Sequence, residues 1–164
     1  CWMMEIKYKK LVPEAQAPIK MIDVDAGFDF FAISKEETED YIEYLTGIAL
    51  EIPNGYVGLV FPRSSVTKYD LMLKNCVGVI DASYRGEIRC RFYYTNKHND
   101  YIELSQHNGY IDRVHPSYLK KNIYEIGDRI AQIVFLELPK ITLKEVLELS
   151  ETDRGPQGFG HTGK

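Results

Sequence analysis

The sequence predicts a mainly β domain, and three stretches carry that prediction. From Glu87 onward, Ile88, Cys90, Phe92 and Tyr94 alternate with Arg89, Arg91, Tyr93 and Thr95, the period of a half-buried antiparallel strand. Ile48 to Ile52 and Tyr56 to Phe61 flank Pro53-Asn54-Gly55, which reads as a hairpin. Gly127 to Leu138 holds a nearly continuous apolar run (Ile130, Ile133, Val134, Phe135, Leu136), expected to be buried on both faces. A chain of 164 residues, 45% hydrophobic and 27% charged, suits one globular domain with a sizeable core.

Taken in order, Glu5 to Leu11 alternates loosely and carries enough lysine for an edge strand, while Cys1-Trp2-Met3-Met4 is read as extraneous to the fold. Pro13 and Pro18 punctuate a loop leading to Asp25-Ala26-Gly27-Phe28-Asp29. Ser34 with Glu37 makes a capping box, so a short acidic helix is expected before a strand that starts near Tyr41. After the hairpin, Pro62-Arg63-Ser64-Ser65 followed by Val66, Tyr69 and Leu73 suggests a short helix with free amides at its start. Cys76 to Ile80 reads as an apolar strand that breaks at Asp81. Asn96 to Ile126 is a Tyr-, His-, Asn- and Lys-rich stretch expected to form a surface excursion with a second hairpin. Ile141 to Leu149 fits a helix by its Thr142 and Glu145 pattern, or an extended arm by its β-branched residues. The tail from about 151 to 164 is rich in glycine.

Charge and cysteine usage narrow the class. Twenty basic and twenty-four acidic residues give a net charge of -4, with no nucleic-acid footprint, although a locally positive pocket would still accept an anionic nucleotide. No run reaches membrane-spanning length and no signal-peptide pattern is present, so a cytoplasmic protein is expected. Cys76 and Cys90 read as small core residues of a reduced protein. His98, His107 and His115 fall in the excursion at irregular spacing, without a partner cysteine that would make a metal site.

Several residues carry chemistry. Asp81, where a rigid strand meets water, either orients an attacking water and takes its proton or caps its own turn. Arg63, Ser64 and Ser65 can converge with backbone amides on one anion, or form an ordinary helix start with a surface arginine. Asp29 is either near such an anion or the partner of an arginine. Tyr84 is either a contact for a ligand or a core ring. Gln132 interrupts the apolar run, as a ligand contact or a satisfied buried amide. Gly158 to Lys164 meets most of a phosphate-loop pattern but lacks its final hydroxyl residue and the helix that follows.

Five of these stretches resemble, in order, the five motifs of the homotrimeric dUTP diphosphatases (dUTPases). They are Ala26-Gly27-Phe28-Asp29-Phe30, Pro62-Arg63-Ser64-Ser65, Gly78 to Glu87, Gly127-Asp128-Arg129-Ile130-Ala131-Gln132, and Arg154 to Gly163. The resemblance implies a single domain over 1–164, a jelly-roll-like β-barrel or sandwich with one short helix after Pro62-Arg63-Ser64-Ser65 and a mobile C-terminal arm. The departure from the family is the insertion at about 96–126. The implied reaction is hydrolysis of dUTP to dUMP and pyrophosphate, with Asp81 holding water in line with the α-phosphorus.

The resemblance further implies that Asn75, Val79 and Ile80 read the uracil edge through a hairpin, and that Tyr84 packs under the sugar and leaves no room for a 2′-hydroxyl. Arg63, Ser64, Ser65, Gln132 and Arg154 would meet phosphates, with Asp29 at the phosphate and magnesium end and Arg89 a further basic neighbour. Phe159, Gly160, His161 and Thr162 would close over the substrate. Mg²⁺ would be held by phosphates and water rather than by protein ligands. The implied partners are dUTP and two further copies of the chain, with sites between subunits. The alternatives are a dCTP deaminase relative, although those enzymes place a glutamate where this chain has Arg91, and a non-catalytic binding module on the same fold whose insertion contacts a partner and whose nucleotide site acts as a switch.

Overall fold

The computed structural model describes residues 4–95, 102–107, 110–114 and 122–156, with 102–107 and 110–114 described as backbone strands only. It is mainly β, as the alternation predicts. The strands are β1 (Lys7–Lys10), β2 (Phe28–Phe31), β3 (Ser34–Glu37), β4 (Tyr41–Glu51), β5 (Tyr56–Pro62), β6 (Leu71–Leu73), β7 (Gly78–Ile80), β8 (Glu87–Tyr94), β9 (Ile102–His107), β10 (Tyr110–Val114) and β11 (Arg129–Glu137). One sheet runs β1-β4-β8-β6 with β3 also on β4, a second runs β2-β11-β5-β7, and β9 pairs with β10. Neither large sheet closes into a barrel among the described residues. Ile42, Tyr44, Ile88 and Phe92 of the first sheet share one core with Phe30, Val60, Ile130 and Ile133 of the second, so the architecture is a sandwich.

The clearest sequence pattern is reproduced side chain by side chain. Along β8, Ile88, Cys90, Phe92 and Tyr94 are buried at 3% exposure or less. β1 is an edge strand with all four residues exposed, paired only to β4. β9 and β10 supply the second hairpin expected between Asn96 and Ile126.

Five expectations are corrected. Ser34–Glu37 is not a helix but strand β3, because each of its residues pairs in register with β4, from Ser34 opposite Leu45 to Glu37 opposite Ile42. Ladder hydrogen bonds outweigh a local capping pattern. The turn at Pro53-Asn54-Gly55 forms, with Tyr56 N donating to Pro53 O at 3.2 Å, but it does not make a hairpin. Both edges of β4 are already taken by β1 and β8, and those of β5 by β11 and β7, so the turn hands the chain from one sheet to the other. The helix after Pro62 is a single 3-10 turn, Ser64–Lys68, whose N-cap position is held by Arg63 without a side-chain cap, and Leu73 belongs to β6 instead. Cys76 is exposed, in a turn with φ of 60° before a strand that begins only at Gly78, whereas Cys90 is buried as expected. Finally, β11 is buried in its first half alone: Ile130, Ala131 and Ile133 are in the core, but Leu136 is 47% exposed. Ile141 to Leu149 forms no helix, and Leu143 and Leu147 are almost fully exposed.

Candidate active site

Asp81 follows β7 directly, so its backbone is pinned by the pairing of Gly78, Val79 and Ile80 with β5. The turn after it is closed by Tyr84 N donating to Asp81 O at 3.0 Å, and by Arg85, whose Nη1 donates to the carbonyls of Ala82 and Tyr84 at 2.6 and 2.9 Å. The Asp81 side chain is exposed and makes no hydrogen bond or ion pair with the described residues. It therefore does not cap its own turn. A carboxylate on a rigid mount with open valences can bind a water and accept its proton.

Val79, Ile80, Asp81, Tyr84, Glu87 and Arg89 line an open cleft of about 210 Å³. Val79 is 63% exposed, leaving an apolar wall without a partner in the chain. The Tyr84 ring lies over Gly86, where a Cβ would come within 2.9 Å of Tyr84 Cε2, and its Oη donates to Glu87 O at 3.0 Å. Glu87 is tied down as well, accepting from Gly47 N at 2.8 Å and pairing with Arg89 at 3.1 Å. Asn75 lies in the turn before β7 and is not among the residues that line the cleft.

Arg89 is half exposed and shares Glu43 with Arg91, the contacts being 3.3 and 2.6 Å. Burial alone would raise the Glu43 carboxyl, but hydrogen bonding and charge from Arg91, then from Arg89, outweigh it and hold the carboxyl below its usual range. Glu43 carries no recognisable sequence signal. Its partners lie more than forty residues away and meet it only through the register of β4 on β8.

A second group gathers at the other end of β5. Asp29 on β2 accepts from Arg63 Nε at 3.0 Å and from Arg129 Nη1 at 3.1 Å, so the arginine-partner reading of Asp29 holds. Arg63 Nη1 also donates to Ser65 Oγ at 3.2 Å and to Arg129 O at 3.3 Å. Ser64 stays exposed. Gln132 Nε2 donates to Pro62 O at 3.2 Å, and Gln132 Oε1 would be 2.8 Å from a Cβ on Gly27, which explains a glycine there. Tyr124, which no sequence pattern singles out, reaches Ser65 Oγ at 3.3 Å.

The two groups cannot meet within one chain. Asp81 follows Ile80, which pairs with Gly58, and so stands level with Val57; Arg63 lies six residues further along the extended chain. That is roughly 20 Å, beyond the reach of one triphosphate. Arg154 lies in the exposed segment after β11, and Phe159, Gly160, His161 and Thr162 fall outside the described residues. Among the described residues no group of three or more His, Cys, Asp or Glu side chains could hold a metal ion.

The fold is a β-sandwich with an unpaired carboxylate at one strand end and an arginine-serine turn at the other, and comparison with known proteins gives the family. The dUTPase family model matches residues 14–108 and 119–163. A deoxyuridine 5'-triphosphate nucleotidohydrolase of Paramecium bursaria Chlorella virus 1 is 34% identical over 163 residues, covering 98% of this chain and 99% of the relative. One from Syntrophotalea carbinolica is 37% identical, covering 96% of each. Among solved structures, the Staphylococcus bacteriophage 80alpha dUTPase with dUPNHPP superposes with a TM-score of 0.73 at 29% identity, over 99% of this chain and 100% of that one. The dUTPase of phage phi11 of S. aureus, described as showing a species-specific insert, gives a TM-score of 0.67 at 25% identity, over 91% and 100%. The chain belongs to the dUTPase family, and its sandwich is dUTPase-like.

Proposed function

We propose that the chain hydrolyses dUTP to dUMP and pyrophosphate at sites shared between copies of itself. The observation that carries this reading is the unpaired Asp81 carboxylate at the mouth of a cleft whose walls are Val79, Ile80 and Tyr84. Asp81 accepts a proton from a water as its oxygen bonds the α-phosphorus. The bond from that phosphorus to the bridging oxygen breaks, and pyrophosphate leaves. Fixed backbone groups at Val79 and Ile80 read the base, and Tyr84 lies where a 2′-hydroxyl would sit. Arg63, Ser64, Ser65 and Gln132 take the phosphates, Arg154 takes outer charge, and Arg89 adds positive potential at the cleft wall.

Because Asp81 and Arg63 are some 20 Å apart in one chain by strand register, the phosphate group of a second copy completes each cleft. The exposed apolar arm, with Leu143 and Leu147 uncovered, supports association with further copies, and the family resemblance makes that assembly a homotrimer. Mg²⁺ would be held by substrate phosphates and water, oxygen ligands of the kind it prefers, and would supply charge neutralisation on the leaving pyrophosphate. Phe159, Gly160, His161 and Thr162 close the site, and the reaction belongs in the cytoplasm, where it lowers dUTP and supplies dUMP.

The test is Asp81→Ala. Turnover of dUTP should fall by about 10²- to 10⁴-fold while dUPNHPP still binds. Undiminished Mg²⁺-dependent pyrophosphate release would overturn the assignment. A second role, in which the nucleotide-bound state is read by a partner, is supported by the β9–β10 hairpin and by the likeness to phage 80alpha dUTPases described as controlling transfer of virulence genes by a G protein-like mechanism. Such a role would survive Asp81→Ala.

A further inference from the structure

Tyr124 lies shortly before β11, and its ring is 1% exposed, packed against Tyr44, Tyr69 and Phe92. Tyr44 Oη donates to Tyr124 O at 2.8 Å, which fixes the backbone as well. Among the described residues the phenol meets one polar atom, Ser65 Oγ at 3.3 Å. Burial raises the phenol pKa above its ordinary value, so the group is a neutral hydroxyl with a proton to place.

The direction of that hydrogen bond follows from counting protons. Arg63 Nη1 already donates to Ser65 Oγ, and Asp29 and Arg129 O hold the guanidinium in place. If Ser65 donated to Tyr124, the phenol proton would be buried with no acceptor, a costly arrangement. If Tyr124 donates, both lone pairs of Ser65 Oγ are filled, one by the phenol and one by the guanidinium. The serine hydroxyl is half-buried, and its own proton then points away from both donors.

We propose that Tyr124 is a positioning residue that fixes Ser65 as an outward hydrogen-bond donor, tuning this turn to ligands that only accept, such as phosphate oxygens. The proposal rests on the reading of the turn as the phosphate end of the site. A serine free to rotate would bind a hydroxyl or water as readily as an anion. A serine with both lone pairs occupied can only donate, and its fixed proton makes a charge-assisted hydrogen bond to a phosphate oxygen that a neutral hydroxyl or water does not match.

The test compares the wild-type chain with Tyr124→Phe, Ser65→Ala and the double variant, by calorimetric binding of inorganic tripolyphosphate and by kcat and KM for dUTP. Tyr124→Phe keeps the ring and should raise the tripolyphosphate Kd and the KM by about 3- to 10-fold, with kcat within about twofold. In the Ser65→Ala background the same change should have no effect. An equal loss in both backgrounds would mean that Tyr124 acts by packing, and wild-type binding by Tyr124→Phe, or no tripolyphosphate binding by the wild-type chain, would equally overturn the proposal. Turnover of dUTP by the wild-type chain tests the functional reading separately, since the tripolyphosphate comparison keeps its outcome whatever that turnover is.

Discussion

Asp29→Ala puts the phosphate end of the site under load. Asp29 accepts two charge-assisted hydrogen bonds, from Arg63 at 3.0 Å and Arg129 at 3.1 Å, and its side chain is 12% exposed against 22% and 31% for the two arginines. Breaking a fully buried ion pair costs about 3–5 kcal/mol, because the remaining charge is left uncompensated. Both guanidiniums here reach water at their outer edge, so the cost is discounted to roughly 2–3 kcal/mol. For a chain of this size that corresponds to a melting temperature lower by about 5–10 °C. The backbone bridge between Asp29 and Ile19 stays, so β2 itself should persist. The measurement is thermal unfolding by circular dichroism at one fixed protein concentration, with dUTP turnover on the same samples. Asp29→Asn, which keeps one acceptor but loses the charge, should fall between wild type and Asp29→Ala. A drop under about 2 °C together with normal turnover would refute the view that Asp29 holds Arg63 and Arg129 in place.

Three further outcomes follow from the geometry. In Gly86→Ala the new methyl would press on the Tyr84 ring; discrimination between dUTP and UTP, read as the ratio of kcat/KM values, should fall by about tenfold or more, and an unchanged ratio would count against Tyr84 as the sugar contact. Glu43 has a carboxyl lowered from 4.5, so its stabilisation is complete above that pH and is lost as pH falls through the lower folded value. The difference in melting temperature between wild type and Glu43→Gln should therefore be full at neutral pH and shrink below about pH 4; a difference that grows on acidification would contradict the Arg91 and Arg89 pairing. In a Cys1→Ser background, a thiol reagent should label exposed Cys76 in the native protein, whereas Cys90, buried with its thiol pushed up to about 12, should react only after denaturation.

The patterns that were legible in the sequence are those whose cause is local. Alternation along β8 reports directly which side chains face the core, and burial of Ile88, Cys90, Phe92 and Tyr94 follows it. What the sequence misassigned depends on strand partners far away. Ser34 to Glu37 satisfies a helix-start pattern, yet β4 offers a whole edge to pair with. Pro53-Asn54-Gly55 is a true turn, but whether a turn joins neighbours in one sheet or crosses between two depends on which edges are free. Cys76 adopts φ of 60° in the short turn between β6 and β7, which no apolar count reveals. For the same reason Asp81 and Arg63 could be picked out as chemistry-bearing, while Glu43 and Tyr124 could not: their roles exist only through β4 on β8 and through the packing of the chain before β11 on the Ser64–Lys68 turn.

Motif order along a chain says nothing about which motifs touch, and here the register separates them. With Asp81 and Arg63 at opposite ends of β5, a substrate that needs both must take them from different copies. This has a consequence that a site within one chain would forbid. Asp81→Ala and Arg63→Ala subunits should each be inactive alone, but co-refolded in equal amounts they should regain activity. Each site then draws its Asp81 from one subunit and its Arg63 from another at random, and half of each are intact, so about a quarter of the wild-type turnover should return. Sites built within one chain would leave every site with one defect, and mixing would restore nothing. Activity that stays at the single-variant level, in mixtures shown by light scattering to have assembled, would therefore refute the shared-site reading.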